Sequence, residues 1–354
     1  FVLKKLKVGW VGSGFVGQAA HLERFIKFPQ VEVVALAELR SGLREKVSAS
    51  YNIPKSVPSH KELLANIDCD AVVAVVNRKQ TFGVAIDILE AGLHLLTEKP
   101  MAQTKEAAKQ LVEIANDKGV TYSVGFMRRY DNGVRKAKKI IEELRRNQEL
   151  GKVISVRVFV EAGNDYCGIT PRIETKEPRL DPGAADIAPH WLPKKFHQEY
   201  EMFVNVCSHD INLLRFLISE NPLVTAVDYR ASGYSYALLD FGKFPGVLEW
   251  VMLPDALDQG REGIEVQFEK GKIQLNLPPA FQRNVSSEIV ISPYKSTKLG
   301  ENSESRIQGD YSWSFENSDL AFVEHVLKGS KSDHSGQDSL KDFDIIDQIW
   351  QKIE

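Results

Sequence analysis

The chain has 354 residues, of which 43% are hydrophobic and 26% are charged, with a formal net charge of −3. These values are typical of globular proteins, and the length is sufficient for two domains. Because the net charge is small, electrostatic attraction gives no reason to expect nucleic acid or a membrane surface as a partner. Three widely spaced cysteines without a CxxC pair argue against a disulfide framework and against a metal site.

No apolar run approaches the length of a membrane span, and the N-terminus leads directly into a strand-like segment. The odd cysteine number fits a reducing compartment. We therefore expect no membrane association and a cytoplasmic location.

Apolar runs alternate with helical patterns through the first 126 residues. The predicted strands are 7–11, 31–37, 71–76, 94–97 and 120–125, and the predicted helices are 15–28, 44–51, 60–65, 82–91 and 104–118. Repeated strand–helix units of this length predict a parallel sheet with helices on both faces. We assign residues 1–126 to an α/β domain of the Rossmann, doubly wound type.

The remaining residues, 127–354, are rich in strands that follow one another through short loops, which predicts a mostly antiparallel sheet. The predicted strands are 153–161, 223–231, 235–241, 246–252, 262–269, 272–277 and 288–292, and the predicted helices are 133–146, 202–217, 314–327 and 337–353. Residues 162–200 are predicted to form a long, functional or mobile loop. We assign this part to an α+β domain, whose C-terminal helix can pack back on the first domain.

A glycine turn follows the first strand. Gly12 permits the tight turn, Gly14 allows the backbone to approach a pyrophosphate, and Gly17 allows the helix to pack closely on the strand. The helix that starts at Phe15 and Val16 would direct its free N–H groups at the phosphates. The pattern predicts a dinucleotide site.

The second strand ends at Glu38, 21 residues after Gly17 by their positions in the chain. A carboxylate there can accept hydrogen bonds from the adenosine ribose hydroxyls, which favours NAD. Arg40 can pair with a 2′-phosphate, which would admit NADP. NAD is the expected cofactor, with NADP as the alternative.

Four further motifs follow in order along the chain: Glu90-Ala91-Gly92-Leu93-His94, then Thr97-Glu98-Lys99-Pro100-Met101-Ala102, then Gly125-Phe126-Met127-Arg128-Arg129-Tyr130, then Cys207-Ser208-His209-Asp210. Together with the glycine turn, they closely resemble the glucose–fructose oxidoreductase, inositol dehydrogenase and rhizopine-catabolism family (Gfo/Idh/MocA), nearly from end to end.

The resemblance implies a Rossmann domain followed by a domain with a large open antiparallel sheet, which binds substrate and forms the oligomer interface. It also implies redox chemistry at a carbinol carbon of a sugar, cyclitol or sugar derivative. Glu98 and Lys99 match the family's Glu-Lys-Pro motif, in which the lysine lies beside the nicotinamide and the reacting hydroxyl and the bond to proline is often cis. A lysine held there can accept the hydroxyl proton, or polarise a carbonyl in the reverse direction.

The family's second catalytic element is an Asp-x-x-x-His pattern. His209 matches the histidine, while Asn205 stands at the aspartate position and cannot accept a proton. In a helix the two side chains would share one face. The resemblance therefore leaves Lys99 and His209 as acid/base candidates, with Asn205 as a substrate or orienting contact.

Two more positions are expected near cofactor or substrate. Asn77 and Arg78 occupy the family's Pro-Asn-x-x-His loop in altered form, and their added positive charge suggests an acidic substrate group or contact with cofactor phosphates, although a solvated loop is equally consistent. Arg129 resembles the family's arginine at the domain junction, where it contacts substrate or orders the junction.

The leading hypothesis is an NAD(P)-dependent dehydrogenase for a sugar or polyol-type substrate. Two alternatives remain open at this point. One is transient, non-redox use of tightly bound NAD, for glycoside cleavage or substrate interconversion. The other is a non-catalytic cofactor-sensing regulator. The family's sheet packs face to face, which implies a homodimer or homotetramer through the C-terminal sheet.

Overall fold

The structure, a computed structural model, describes residues 5–163, 168–179, 186–252, 260–294, 304–330 and 332–353. It contains two compact units. Unit 1 comprises residues 1–126, 169–201 and 315–343, and unit 2 comprises 127–168, 202–314 and 344–354. Cys167 lies outside the described residues.

Unit 1 is built on a six-stranded parallel sheet in the order β3-β2-β1-β4-β5-β6. Its strands are β1 (Leu6–Val11), β2 (Val31–Ala37), β3 (Ser56–Val57), β4 (Ala71–Ala74), β5 (His94–Thr97) and β6 (Tyr122–Val124). This is the strand order of a dinucleotide-binding Rossmann sheet. The predicted fold class is confirmed for this part, and β3 is a strand that the sequence patterns did not predict.

Most helices of unit 1 connect these strands, whereas the last two come from the C-terminal part of the chain. A π-helical turn, Gly17–Leu22, continues into α1 (Glu23–Lys27), and the others are α2 (Ser41–Ser50), α3 (His60–Asn66), α4 (Arg78–Glu90), α5 (Lys105–Lys118), α8 (Ser314–Lys328) and α9 (Gly336–Ser339). Thr104 caps α5 by accepting a hydrogen bond from Ala107 N, and Gly119 ends it in the left-handed conformation, with φ 65°.

The core of unit 1 lies under β1 and β2. Trp10 and Phe25 make an edge-to-face contact with their rings 5.6 Å apart, and Phe25 packs on Phe322 of α8 at 6.5 Å. Val8 and Val323 belong to the same buried cluster. Residues from the C-terminal part of the chain therefore complete the core around the first strand.

Unit 2 is built on an eight-stranded sheet in the order β14-β13-β12-β11-β7-β10-β9-β8. Its strands are β7 (Val153–Ala162), β8 (Leu223–Asp228), β9 (Ser235–Asp240), β10 (Pro245–Met252), β11 (Arg261–Phe268), β12 (Gly271–Leu277), β13 (Glu288–Pro293) and β14 (Ser305–Gln308). All neighbouring pairs are antiparallel except β7 and β10. The prediction of a mostly antiparallel sheet is confirmed.

The helices assigned chiefly to unit 2 are α6 (Asn132–Asn147), α7 (His197–Ile218) and α10 (Asp342–Trp350). Helices α7 and α10 cover one face of the sheet. The ring centres of Trp250 of β10 and Phe203 of α7 are 5.0 Å apart, and those of Phe203 and Trp350 of α10 are 5.8 Å apart. The prediction of one helix over 337–353 was wrong, because α9 and α10 are separate. The long loop predicted for 162–200 also ends earlier, since a 3₁₀ turn, Lys194–Phe196, leads into α7.

Candidate active site

The three glycines of the turn have three different environments. Gly12 has φ 86°, and a Cβ there would lie 2.3 Å from Val75 O, so only glycine fits. A Cβ at Gly17 would lie 3.0 Å from Gly12 O, where the helix meets the turn. Among the described residues, no atom other than those of Gly14 and its neighbours along the chain lies within 4 Å of the Cβ position of Gly14. The open space at Gly14, next to Phe15 and Val16 at the start of the helix, fits the close approach of a dinucleotide phosphate.

Glu38 lies at the carboxyl end of β2, beside the glycine turn. Its carboxylate accepts hydrogen bonds from Ser13 N at 2.9 Å and Ser13 Oγ at 3.0 Å. It also accepts from Arg40 N at 3.1 Å and Arg40 Nε at 2.9 Å. Burial alone would raise the pKa of this carboxyl, but the hydrogen bonds from Arg40 and Ser13 outweigh it and lower the pKa. Glu38 is therefore an ionised group whose oxygens already have donors, and Arg40 is paired with it.

The Glu98-Lys99-Pro100 segment follows β5, two strands from β1 in the sheet. The Lys99–Pro100 peptide bond is cis, as the resemblance implied. Lys99 is half-buried, and its backbone N–H donates to Glu98 Oε2 at 3.1 Å. A Cβ at Gly125 would lie 2.7 Å from Glu98 Oε1, so the glycine after β6 leaves room for this carboxylate.

His21 joins this segment to the helix of the glycine turn. Its Nε2 lies 2.9 Å from Glu98 Oε1, and its Nδ1 lies 2.8 Å from Asp319 Oδ1 on α8. The His21 side chain is almost fully buried, as is that of Asp319. Burial of the ring opposes its charge, but the two carboxylates outweigh it and raise the pKa of His21 to about 10. A buried imidazolium thus binds the carboxylate of Glu98, the neighbour of Lys99.

Sequence patterns did not reveal His21 or Asp319. His21 follows Gly17 by one helical turn, which is a signal only if the helix is known to face the Glu-Lys-Pro segment. Asp319 is separated from His21 by 298 residues, and no local pattern connects them.

Asn77 and Arg78 lie at the start of α4. Asn77 caps the helix by accepting a hydrogen bond from Lys79 N at 3.1 Å. Arg78 Nε donates to Glu201 Oε1 at 2.9 Å, and Lys79 Nζ lies 3.6 Å from Glu201 Oε2. The positive charge noted in this loop is therefore paired with a carboxylate of the chain itself.

Asn205, His209 and Arg129 belong to unit 2. Asn205 and His209 are half-buried on α7, one helical turn apart, so the helix brings them to one face. Arg129 is buried; its guanidinium donates to Asn212 O at 3.1 Å and lies over the Phe216 ring at 5.2 Å. Its described contacts within unit 2 order the start of this unit against α7.

Within the ranges that the structure describes, no helix is long and apolar enough to cross a membrane. Among the same residues, no group of three or more metal-ligating side chains is suited to hold a metal ion.

Residues 6–126 match the model of a protein family that is described as an oxidoreductase family with an NAD-binding Rossmann fold. Inositol 2-dehydrogenase/D-chiro-inositol 3-dehydrogenase of Lacticaseibacillus casei is 34% identical over 141 residues, which are 39% of this chain and 40% of that protein. Inositol 2-dehydrogenase of Salmonella typhimurium is 27% identical over 215 residues, or 59% of this chain and 61% of that protein. The matched regions thus span less than two thirds of these relatives.

Solved structures match over nearly the whole chain. Levoglucosan dehydrogenase in complex with NADH and levoglucosan gives a TM-score of 0.76 at 19% identity, covering 99% of this chain and 97% of that one. A 3-ketoreductase from Actinomadura kijaniata in complex with TDP-benzene and NADP gives a TM-score of 0.74 at 16% identity, covering 98% and 97%. At these identities the likeness establishes the fold.

Proposed function

We propose that this chain is an NAD-dependent dehydrogenase of the Gfo/Idh/MocA family, because residues 6–126 match the model of an oxidoreductase family with an NAD-binding Rossmann fold. Its substrate is a secondary alcohol, or the corresponding ketone, of a cyclitol, sugar or sugar derivative. The relatives named for inositol and for levoglucosan support this substrate class. Bound NAD would supply the hydride acceptor, and the residues of the chain would position the alcohol and move its proton.

One observation carries the proposal: the contact between His21 and Glu98, at 2.9 Å. It ties the segment that contains Lys99 to the helix that follows the glycine turn. Both lie at the carboxyl ends of parallel strands, where ligands bind in open α/β sheets. Lys99 is thereby held beside the proposed cofactor site, which supports its role as the group that accepts the hydroxyl proton.

His209 and Asn205 complete the proposal from unit 2. His209 is the second acid/base candidate, because an imidazole titrates near neutral pH. Asn205, one turn earlier on α7, would hydrogen-bond the substrate or orient His209. Arg129 is proposed to support this face through its contacts with Asn212 and Phe216 rather than to touch substrate.

The test is turnover of a cyclitol and sugar panel with Lys99→Met. We expect kcat to fall by roughly 10²–10⁴-fold, the range for loss of a proton-transfer group, while the Kd of NADH changes little. Lys105→Met is the matched control, since it also removes a lysine, but at the start of α5. NADH is measured by absorbance in stoichiometry with product. Full activity of Lys99→Met, or turnover without free NADH, would contradict the proposal.

The oligomeric state forms part of the same proposal. We expect a homodimer or homotetramer that covers the open face of the unit 2 sheet, because β9 alternates between buried and exposed residues. Leu238 is 50% exposed and Tyr236 is 38% exposed on that strand. An apolar sheet face of this kind is usually buried in an interface.

A further inference from the structure

Segment 169–179 packs against the helix of the glycine turn and against the start of α2 in unit 1. Ile173 N donates to Gln18 Oε1, and Gln18 Nε2 donates to Ile173 O, both at 3.0 Å. Gln18 is buried on the helix of the glycine turn, and its Nε2 also donates to Ser13 O at 2.8 Å. The segment is therefore anchored to the turn itself.

The same segment reaches the helix that follows β2. The Arg172 guanidinium lies over the Tyr51 ring at 5.1 Å. Glu177 then meets the start of α2: its Oε1 accepts from Gly42 N at 3.0 Å, and its Oε2 accepts from Leu43 N at 2.9 Å.

Glu177 caps the N-terminus of α2, which has no capping side chain of its own. The residue before α2 is Arg40, whose side chain makes no capping hydrogen bond. The first N–H groups of a helix have no partner within the helix and bind anions readily. The hydroxyls of Ser41 and Thr175 also donate to the Glu177 carboxylate, at 3.3 Å and 2.9 Å. These donors, Gly42 N first, lower the pKa of the Glu177 carboxyl, so it is a carboxylate at neutral pH.

The end of β2 is where a Rossmann domain distinguishes the two dinucleotides, through an acid that binds the ribose or an arginine that binds the 2′-phosphate. Here the arginine, Arg40, is paired with Glu38 at 2.9 Å. Glu177 accepts hydrogen bonds from two N–H groups at the start of α2, those of Gly42 and Leu43. A second arginine, Arg44, donates to the backbone oxygen of Glu38 at 2.8 Å. Arg40 and the two N–H groups, which would suit a 2′-phosphate, are thus already bound to carboxylates of the chain.

We propose that Glu177, carried by segment 169–179 onto the start of α2, is a specificity-determining residue that excludes the 2′-phosphate of NADP. The inference rests on the proposed NAD-dependent function. A phosphate monoester would have to displace the Glu177 carboxylate from the N–H groups, and it would then lie near two negative charges, Glu38 and Glu177. NAD has a hydroxyl at the 2′ position, so it neither displaces Glu177 nor is repelled by the two carboxylates.

The experiment measures the Kd of NADH and of NADPH for the full chain by fluorescence titration. We compare wild type with Glu177→Gln, which keeps the side-chain shape and removes the charge. Glu174→Gln is the matched control, because Glu174 is exposed on the same segment. Binding of 2′-AMP and 5′-AMP gives a second readout of the phosphate position without the nicotinamide. Thermal unfolding midpoints establish that each variant is folded.

Wild type is expected to bind NADH at least about tenfold more tightly than NADPH, a difference set by one charged contact. In Glu177→Gln we expect NADPH and 2′-AMP to bind several-fold more tightly, with NADH nearly unchanged, and Glu174→Gln to resemble wild type. Equal weakening of both dinucleotides in Glu177→Gln would mean that Glu177 only caps α2, and would overturn the inference. So would a wild-type preference for NADPH, or the same ratio in both variants. If wild type binds neither dinucleotide, the proposed function falls as well.

Discussion

His21 is a buried imidazole between two carboxylates, and its charge matters to the fold as well as to the site. A histidine with a raised pKa stabilises the folded state fully below its unfolded pKa. That contribution is lost as the pH rises through the folded value. For His21 the loss therefore runs from about pH 6.5 to about pH 10.

The substitution His21→Asn removes this charge at every pH. We expect it to lower the free energy of unfolding at pH 7 by about 3–5 kcal/mol, because Asp319 and Glu98 lose their buried cation. The difference in the free energy of unfolding between wild type and His21→Asn should decrease toward pH 10, because His21 of the wild type loses its proton. Unfolding midpoints across this pH range measure both effects.

His60→Asn is the control for this experiment. His60 pairs with Asp87 at 2.8 Å, but both side chains are partly exposed. Its removal should change stability by less than about 1 kcal/mol. A gap between wild type and His21→Asn that is independent of pH would contradict the assignment of a buried imidazolium.

Helices α4 and α6 each contain a glycine with a different neighbourhood. Apart from the chain neighbours of Gly83 and the backbone of α4 itself, no atom of the residues that the structure describes lies within 4 Å of the Cβ position of Gly83. At Gly133, near the start of α6, a Cβ would lie 2.3 Å from Ser287 O. Alanine favours a helix over glycine only where its methyl group has room.

The two substitutions should therefore have opposite signs. Gly83→Ala should stabilise the protein by up to about 1 kcal/mol, since alanine loses less backbone entropy in a helix. Gly133→Ala should destabilise it by about 1–3 kcal/mol, because the Ser287 backbone must move. Urea unfolding of both variants against wild type measures the difference. A stabilised Gly133→Ala would show that α6 can shift without cost.

At the level of elements, the sequence patterns identified almost every strand and helix. Their success follows from local causes, such as the cap at Thr104 and the left-handed Gly119 at the ends of α5. The patterns failed where such local signals are weak or absent. Strands β3 and β14 are short and have little apolar pattern, and the break between α9 and α10 lies inside a continuous helical pattern.

For the whole molecule, the open face of the unit 2 sheet is the feature that an oligomer would cover. Leu238 of β9 is paired with Val247 of β10, which is paired with Arg157 of β7, so all three side chains share this face. The opposite face carries Leu239, which is buried.

Leu238→Glu places a charge on that face. We expect it to shift the mass measured by light scattering toward the monomer, because burying a carboxylate at the position of an apolar leucine is costly. Leu327→Glu is the control, since Leu327 is an equally exposed leucine on α8 in unit 1. A monomeric wild type, or an oligomer that persists in Leu238→Glu, would count against this interface.

The sequence by itself determined the features that depend on near neighbours: the glycine turn, the alternation of strands and helices, and the shared helix face of Asn205 and His209. These follow from backbone preferences and side-chain periodicity, which act over a few residues. The sequence also placed Lys99 just after the strand predicted at residues 94–97, and that strand is present as β5, His94–Thr97.

Only the tertiary structure decided which distant groups meet. His21 meets Glu98 across 77 residues and Asp319 across 298, and Glu177 meets Gly42 across 135. No local pattern encodes such contacts, because they depend on which surfaces pack once the sheet has formed. The sequence therefore predicted a dinucleotide site in which Glu38 favours NAD and Arg40 would admit NADP. The folded chain pairs these two residues and adds Glu177 beside them.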